Sequence, residues 1–305
     1  MKSRRSSRST ENNACSRRNP FHSLVWGIPP TVSALGVGGI LLCALFLTHG
    51  CSSKPTYPKE NLTNAVQGLL TQEAVTGSVR VIDHTLAVHV ELPGTIIQVN
   101  QQIGLGPAVE PTLQKILGAL HRVVLSTDAD IRFYVILLSD PSVSGAYVTI
   151  VRYVDDIKQA YASRIGIGEI FSRTIFDVHR TNQGPMSLEQ LVPTDIRLED
   201  FLSRQLAQRI QQSLTAELQT GGLATVGQCE GNFQNGEFVF TLNVLPFLNQ
   251  TVDEATMQKA FQISTSTIVH ILATYRFKAF ESIRLVHPLT GRHLTLPKTQ
   301  LDVFR

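Results

Sequence analysis

The amino-acid sequence predicts an α+β fold of two β-β-α-β-β units, joined by a helical connector and preceded by an N-terminal signal segment. Each unit is expected to hold an antiparallel sheet with a helix on one face. Three observations lead to this prediction: a basic and then apolar N-terminus, a repeated pattern, and a long amphipathic segment between the repeats. The expected signal segment, tether, first unit, connector and second unit are residues 1–50, 51–60, 61–154, 155–222 and 223–305.

The N-terminus has the charge pattern of an export signal. The first 22 residues carry six Lys or Arg side chains and one acid, Glu11. An apolar, uncharged core of 16 residues follows from Val32 to Leu47, slightly short for a membrane span of roughly 20 residues. A basic region, an apolar core and small residues before a cut are typical of export signals. Because basic flanks stay in the cytoplasm, the chain after residue 50 is expected outside that compartment.

The apolar run ends on the sequence LTHGC, residues 47–51. It resembles the lipobox of bacterial lipoproteins, in which aliphatic and small residues precede an invariant cysteine. The resemblance implies cleavage after Gly50, a diacylglyceryl lipid on the Cys51 thiol and an acylated new N-terminus. Ser52, directly after the cysteine, resembles the residue found at that position in lipoproteins that are sorted to the outer membrane. The resemblance therefore favours the outer membrane over the inner membrane. The alternative is an uncleaved signal anchor in which Cys51 carries no lipid.

Composition limits what the remaining 255 residues can do. Without the signal they carry 21 basic and 23 acidic side chains, a net charge of about −2. This balance offers no basic patch for nucleic acid. With Cys51 as the anchor, Cys229 is the single remaining cysteine, which excludes an intramolecular disulfide. Stability must therefore come from a hydrophobic core.

A repeat organises the chain. The stretches FYVILLSDPSVSGAYVTI (133–150) and FESIRLVHPLTGRHLTL (280–296) each predict two strands around a Pro/Gly turn. Their aligned residues lie 147 positions apart before the glycine and 146 from the glycine onward. The aligned pairs are Phe133 with Phe280, Ile136 with Ile283, Leu138 with Leu285, Pro141 with Pro288, Gly145 with Gly291, Val148 with Leu294 and Thr149 with Thr295.

A further hairpin and a helix are predicted before each repeat. The hairpins cover 77–92 and 232–245, and the second contains Asn-Gly at 235–236, the strongest short hairpin signal. Residues 111–125 place apolar side chains at helical spacing. The second helix is predicted to begin at TVDE, residues 251–254, a capping-box pattern. The order strand, strand, helix, strand, strand therefore occurs twice.

The connector is expected to cover the first unit. Residues 131–138 are apolar on both faces, whereas residues 280–287 have one polar face, and a strand apolar on both faces needs cover on both. Residues 155–165 and 169–178 are expected to be helical. The segment 195–220 is predicted to be a helix that ends at two glycines. Its apolar stripe consists of Leu202, Leu206, Ile210, Leu214 and Leu218.

We expect that stripe to pack on Phe133, Val135 and Leu137. Each of these side chains contributes about 1.5–3 kcal/mol when fully buried, so leaving them in water would forgo several kcal/mol. The alternative is an exposed apolar surface on 195–220 that docks a partner helix.

The sequence contains no recognisable catalytic or metal motif. It has no G-x-S-x-G elbow, P-loop, H-E-x-x-H, C-x-x-C or carboxylate cluster at calcium spacing. The glycines at 104–107 and 166–169 predict turns without the strand-helix context that holds phosphate. His84 and His89, five apart, would face opposite sides of a strand. The histidines after the signal are His84, His89, His121, His179, His270, His287 and His293.

Four polar candidates have structural interpretations. The pair at 155–156, Asp-Asp, is expected to cap a helix rather than bind metal. Asp128 and Asp130 are expected to mark the start of a strand rather than form a catalytic pair. Cys229, between Gln228 and Glu230 in a predicted strand, is expected to be buried and inert rather than nucleophilic.

These observations predict a non-catalytic envelope lipoprotein that binds or scaffolds other components. It would be held at the membrane by the lipid on Cys51, face the periplasm, and contact an envelope protein or a second copy of itself. No cofactor, metal or catalytic residue is predicted. Small sheets offer an open face and edge strands for protein recognition. The alternatives are an envelope enzyme whose site is assembled from distant residues, and a ligand carrier with an enclosed apolar cavity.

Overall fold

The computed structural model describes residues 56–99, 102–107, 109–143, 145–180, 187–247 and 252–301. The predicted signal and the Cys51 lipid anchor lie outside these residues. The described residues belong to one compact unit. None of the helices in this part of the chain is both long and apolar enough to cross a membrane.

The fold is mixed α+β, as the sequence predicts. The helices are α1 Leu62–Gln72, α2 Val109–Val124, α3 Val154–Tyr161, α4 Ile167–Arg173, α5 Leu188–Leu191, α6 Leu198–Leu214, α7 Glu254–Thr274 and α8 Lys298–Leu301. The strands are β1 Gly77–Ile82, β2 Thr85–Glu91, β3 Ile96–Val99, β4 Gln102–Leu105, β5 Phe133–Ser139, β6 Ala146–Tyr153, β7 Ile175–Arg180, β8 Thr225–Val226, β9 Glu230–Gln234, β10 Glu237–Thr241, β11 Val244–Leu245, β12 Ser282–His287 and β13 Arg292–Pro297.

Two larger sheets contain most of the strands. The first has five strands in the order β1-β2-β5-β6-β7, and the second has four in the order β9-β10-β12-β13. The prediction of purely antiparallel sheets is wrong, because β2 pairs parallel with β5 and β10 pairs parallel with β12. A helix follows β2 and another follows β10, and a helical crossover is the connection that parallel strands require.

The turns follow the predicted residues. Asn235 and Gly236 have positive φ angles of 51° and 80° between β9 and β10, as the Asn-Gly hairpin signal predicts. Gly145, before β6, and Gly291, before β13, have φ angles of 73° and 66°. A residue with a Cβ would be strained in this conformation, so both repeated turns need their glycine.

The first sheet is covered on both faces. On one face, Ile136 is buried in the same core as Ile116 and Leu120 of α2. On the other face, Phe133, Val135 and Leu137 share a core with the apolar stripe of α6. The rings of Phe133 and Phe201 lie 5.2 Å apart. The prediction that the 195–220 helix covers this strand is confirmed.

Helix α6 also packs against the second sheet and α7, so one helix serves both sheets. Its close approach to β9 depends on Gly231, because a Cβ at that position would overlap the carbonyl oxygen of Ser203. The second sheet presents Ile283 and Leu285 to this shared core. Its opposite face is more polar and carries Arg284, which is exposed.

Two local predictions are wrong. The segment predicted as helix up to residue 178 is helical only to Arg173, because β7 then pairs antiparallel with β6 and extends the sheet. The second wrong prediction is that α7 begins at a capping box on Thr251. Thr251 lies outside the described residues, and the N-cap is Asp253, whose side chain accepts a 2.7 Å hydrogen bond from the Thr256 amide.

Candidate functional site

A half-open groove of about 560 Å³ lies on the first sheet, beside α2. We call it the Arg152 groove. Strands β6 and β7 form its floor, and α2 and α4 form its walls. The side chains that define it are Leu113 and Leu117 of α2, Ile150 and Arg152 of β6, Phe171 of α4 and Phe176 of β7.

The groove is apolar because of strand alternation. Ile150 and Arg152 project from the same face of β6, and Phe176 lies opposite Ile150 in the β6–β7 register. Phe171 and Phe176 remain 65% and 41% exposed. Large exposed aromatic side chains beside a concave apolar surface are characteristic of binding sites.

Arg152 is the charged residue on the groove floor and is only 7% exposed. Its Nε donates to Thr174 Oγ1 at 3.0 Å, and its Nη1 donates to Tyr134 Oη at 3.4 Å. The Phe171 ring covers one face of the guanidinium, with its centroid 5.7 Å from Cζ, a cation–π arrangement. Within the described residues, no carboxylate lies within ion-pairing distance of Arg152.

A short hydrogen-bonded chain leads from Arg152 toward the surface. His121 Nε2 lies 2.9 Å from Tyr134 Oη, and His121 Nδ1 lies 3.5 Å from the oxygen of the exposed Tyr161. Burial, reinforced by the Arg152 charge, lowers the pKa of His121 to about 4. Burial raises the pKa of Tyr134 to about 12. Both groups are therefore neutral near pH 7, and Tyr134 Oη can donate a hydrogen bond to His121 Nε2.

Among the residues that the structure describes, this hydrogen-bonded series contains no activated nucleophile. The side-chain partners of His121 are tyrosine hydroxyls, not a serine, a cysteine or a carboxylate. A nucleophile and an oriented base within hydrogen-bonding reach are the usual signature of covalent catalysis. The described residues around His121 lack this signature.

A second groove, of about 660 Å³, lies between α7 and β13. We call it the α7 groove. Its apolar lining includes Val269 of α7 and Leu294 and Leu296 of β13. Among the described residues that line it there is no Lys, Arg, Asp or Glu, and its His270 is exposed.

A buried polar cluster joins α3, α4, α6 and α7. Asp156 is 3% exposed and accepts from Arg173 Nη1 at 2.6 Å and from Tyr275 Oη at 2.8 Å. Gln205 donates to the Arg173 carbonyl at 2.6 Å and to Tyr275 Oη at 2.8 Å. The prediction that Asp155 and Asp156 cap a helix is wrong. They lie in the first turn of α3, whose N-cap makes no side-chain bond, and Asp156 is an ion-pair partner.

The other predicted residues lie apart from the Arg152 groove. Cys51 is outside the described residues. Cys229 is buried, and burial raises the pKa of its thiol to about 11, which agrees with the inert role predicted. It precedes β9 instead of lying in a strand. Asp128 and Asp130 lie in the loop before β5, where they accept bonds from Lys59 N and Arg132.

His84 and His89 do not form a shared site. His84 lies in the turn before β2 and bonds to Asp130, whereas His89 is in β2 and bonds to Ser139. The prediction that they face opposite sides of one strand is therefore wrong, because His84 lies outside β2. Among the residues that the structure describes, there is no group of three His, Cys, Asp or Glu side chains suited to a metal ion.

No protein-family model matches the chain, and no curated protein matches it significantly.

Sequence reasoning missed Arg152, although a signal was present. Every second residue from Ala146 to Ile150 on β6 is apolar, and the next position in that series is Arg152. A lone cation on the buried face of a strand needs a partner. The identity of its neighbours depends on β7 and α4, which lie later in the chain.

Proposed function

We propose that the chain is a membrane-tethered binding protein of the cell envelope whose ligand occupies the Arg152 groove. The observation that carries the proposal is this concave apolar surface with a few convergent polar groups on its floor, the usual composition of a ligand site. The groove is half-open, so an elongated ligand can enter from the side. It holds the ligand and performs no covalent step.

The membrane anchor in this proposal is the lipid on Cys51. The expected location is the periplasmic side of the envelope, at the outer membrane in preference to the inner membrane. The basis is the lipobox-like sequence at 47–51 and the apolar core before it. Cys51→Ala should abolish labelling by a radioactive fatty acid and should block cleavage. Wild-type protein that stays unlabelled and at full length would establish an uncleaved signal anchor instead.

The proposal includes a common origin for the two larger sheets as β-β-α-β-β units. Its support is the aligned sequence pattern together with the same strand order, including a parallel pair after each helix. Ile136 pairs with Val88 as Ile283 pairs with Phe238. Removal of the shared helix α6 should destabilise both units if they are fused copies that share one cover.

An uncharged probe tests the binding proposal. The full chain in phosphatidylcholine nanodiscs is photolabelled with a diazirine analogue of hexadecanol, and the adducts are mapped by mass spectrometry. We expect adducts on α2 and β6, which Leu117→Lys removes by placing a charge in the groove. Val269→Lys, in the α7 groove, is the matched control and should leave the labelling intact. Adducts that scatter over the surface, or that survive Leu117→Lys, would contradict the proposal.

Protein assembly is the second candidate function. Strand β13 lies at the edge of the second sheet, and an edge strand can accept a strand from another protein. A photoreactive amino acid at the exposed Thr295 should then give a discrete cross-linked product in native membranes. The same group at the exposed Ser163, in the loop between α3 and α4, is the control.

A further inference from the structure

The guanidinium of Arg152 is an incompletely paired buried cation. Arginine carries five N–H donors, and the hydrogen bonds of Arg152 to other described residues use two of them, to Thr174 and Tyr134. Both acceptors are neutral hydroxyl groups. Burial of a charge without a counter-ion is unfavourable, so the site gains stability when an anion binds.

Among the described residues, the carboxylates near the groove do not pair with Arg152. Glu110 lies on the groove lining, and its Oε1 accepts from Gln114 at 3.3 Å. Asp156 and Glu169 both pair with Arg173. Because His121 and Tyr134 are neutral near pH 7, the Arg152 charge is not balanced by its immediate neighbours.

Building on the proposed function, we infer that the ligand of the Arg152 groove is a single-chain amphiphile with a carboxylate head, such as a long-chain fatty acid. The carboxylate pairs with Arg152, and the chain lies along Leu113, Leu117 and Phe176. Phe171 covers one face of the guanidinium, which leaves its N–H edge for a carboxylate. Arg152 lies on the floor of the groove, where a narrow carboxylate reaches it more easily than a phosphodiester between two chains.

Competition between amphiphiles measures two things independently: recognition of the ligand's carboxylate head and binding of its apolar chain. The full chain in nanodiscs is photolabelled with the diazirine hexadecanol probe, and palmitate, methyl palmitate and phosphatidic acid compete with it. We expect palmitate to compete more strongly than methyl palmitate by roughly tenfold to a hundredfold, the effect of a hydrogen bond to a charged group. Arg152→Gln should remove this preference, and Lys298→Gln, beside β13, should preserve it.

Each outcome decides a different point. Equal competition by palmitate and its methyl ester would overturn head recognition and leave the proposed apolar binding site intact. Loss of groove labelling in every arm would overturn the proposed function as well. Stronger competition by phosphatidic acid would show that the head is a phosphate and overturn the carboxylate assignment. The comparison of acid with ester uses the wild-type chain, so it stands even if Arg152→Gln fails to fold.

Discussion

The Arg152 groove and the α7 groove lie in corresponding places on the two larger sheets. On the floor of the first, Ile150 pairs with Ile136, and on the floor of the second, Leu296 pairs with Ile283. Helix α2 borders Ile150 in the first groove, and helix α7 borders Leu296 in the second. In the first groove β7 extends the floor and α4 adds a second wall, whereas none of the residues described beyond β13 adds a strand or a wall to the second groove. The segment 155–222 therefore gives the first groove two aromatic side chains, Phe171 and Phe176, and the lining of the second groove has no Phe, Tyr or Trp side chain among the described residues.

A cation follows each floor residue by two positions, but its surroundings differ. Arg152 is buried at 7% exposure, beneath Phe171. Lys298 begins α8 and donates to the exposed Lys278 carbonyl. Burial of the charge, and not its presence in the sequence, distinguishes the two grooves.

The largest effect is expected where the two sheets differ most in cover. Leu137 aligns with Arg284 at the offset of 147. Leu137→Arg should unfold the chain, because it places an unpaired charge in the core beneath α6. The reciprocal change, Arg284→Leu, removes an exposed ion pair with Glu237 and should change the free energy of unfolding by about 1 kcal/mol or less. Urea denaturation followed by circular dichroism measures both, and equal effects would contradict the difference in cover.

Loss of the polar cluster should have the next largest effect. Asp156→Ala leaves Arg173 with the more exposed Glu169 as its carboxylate partner and removes the acceptor of Tyr275 Oη. We therefore expect a loss near the lower end of about 3–5 kcal/mol in the free energy of unfolding. The matched control is Asp155→Ala, because Asp155 is exposed and pairs with Lys158 on the surface. That change should cost less than about 1 kcal/mol. Similar losses for both variants would show that the cluster does not stabilise the fold.

The aligned isoleucines test the correspondence of the two sheets. Ile136 and Ile283 are both fully buried at matching places in their parallel pairs. Truncation of either residue to alanine should cost about 2–5 kcal/mol. A large loss at one position and a negligible loss at the other, measured by urea denaturation, would argue against equivalent units.

The smallest expected effect is a pH dependence of the free energy of unfolding, contributed by His121 of the first unit. The pKa of folded His121 is about 4, below its ordinary value of 6.5, so the unfolded state binds the proton more readily between these values. The free energy of unfolding should therefore decrease as the pH falls from about 6.5 to about 4. His89 and His179 also have lowered pKa values, so the contribution of His121 is the difference between wild type and His121→Gln. An unchanged profile in that variant would assign the effect elsewhere.

Local sequence signals predicted the elements that local chemistry determines. The turn at 235–236 and the hairpin at 133–150 follow residue preferences that act over a few positions. So does the end of the helical segment, where α6 continues into a π-helical turn, Thr215–Gln219, that stops before Gly221 and Gly222. The strand at 131–138 also predicted its need for cover on both faces, since its apolar residues do not alternate with polar ones. These features were therefore accessible without any tertiary information.

The features that sequence reasoning missed depend on contacts between distant segments. Strand β7 forms because β6 offers an unpaired edge, which the helical pattern at 169–178 does not reveal. The parallel pairs depend on the direction in which α2 and α7 return the chain. The Arg152 groove needs both the β6–β7 register and the position of Phe171 on α4. A lone arginine in an apolar strand was the only local sign of it.

The most direct test of the account is a crystal structure of the full chain with a brominated palmitate. The anomalous signal of the bromine locates the chain, and the electron density locates the carboxylate. We expect bromine in the Arg152 groove, a carboxylate oxygen within hydrogen-bonding distance of the Arg152 guanidinium, and no bromine in the α7 groove. Bromine in the α7 groove with an empty Arg152 groove, or a carboxylate turned away from Arg152 into solvent, would contradict it.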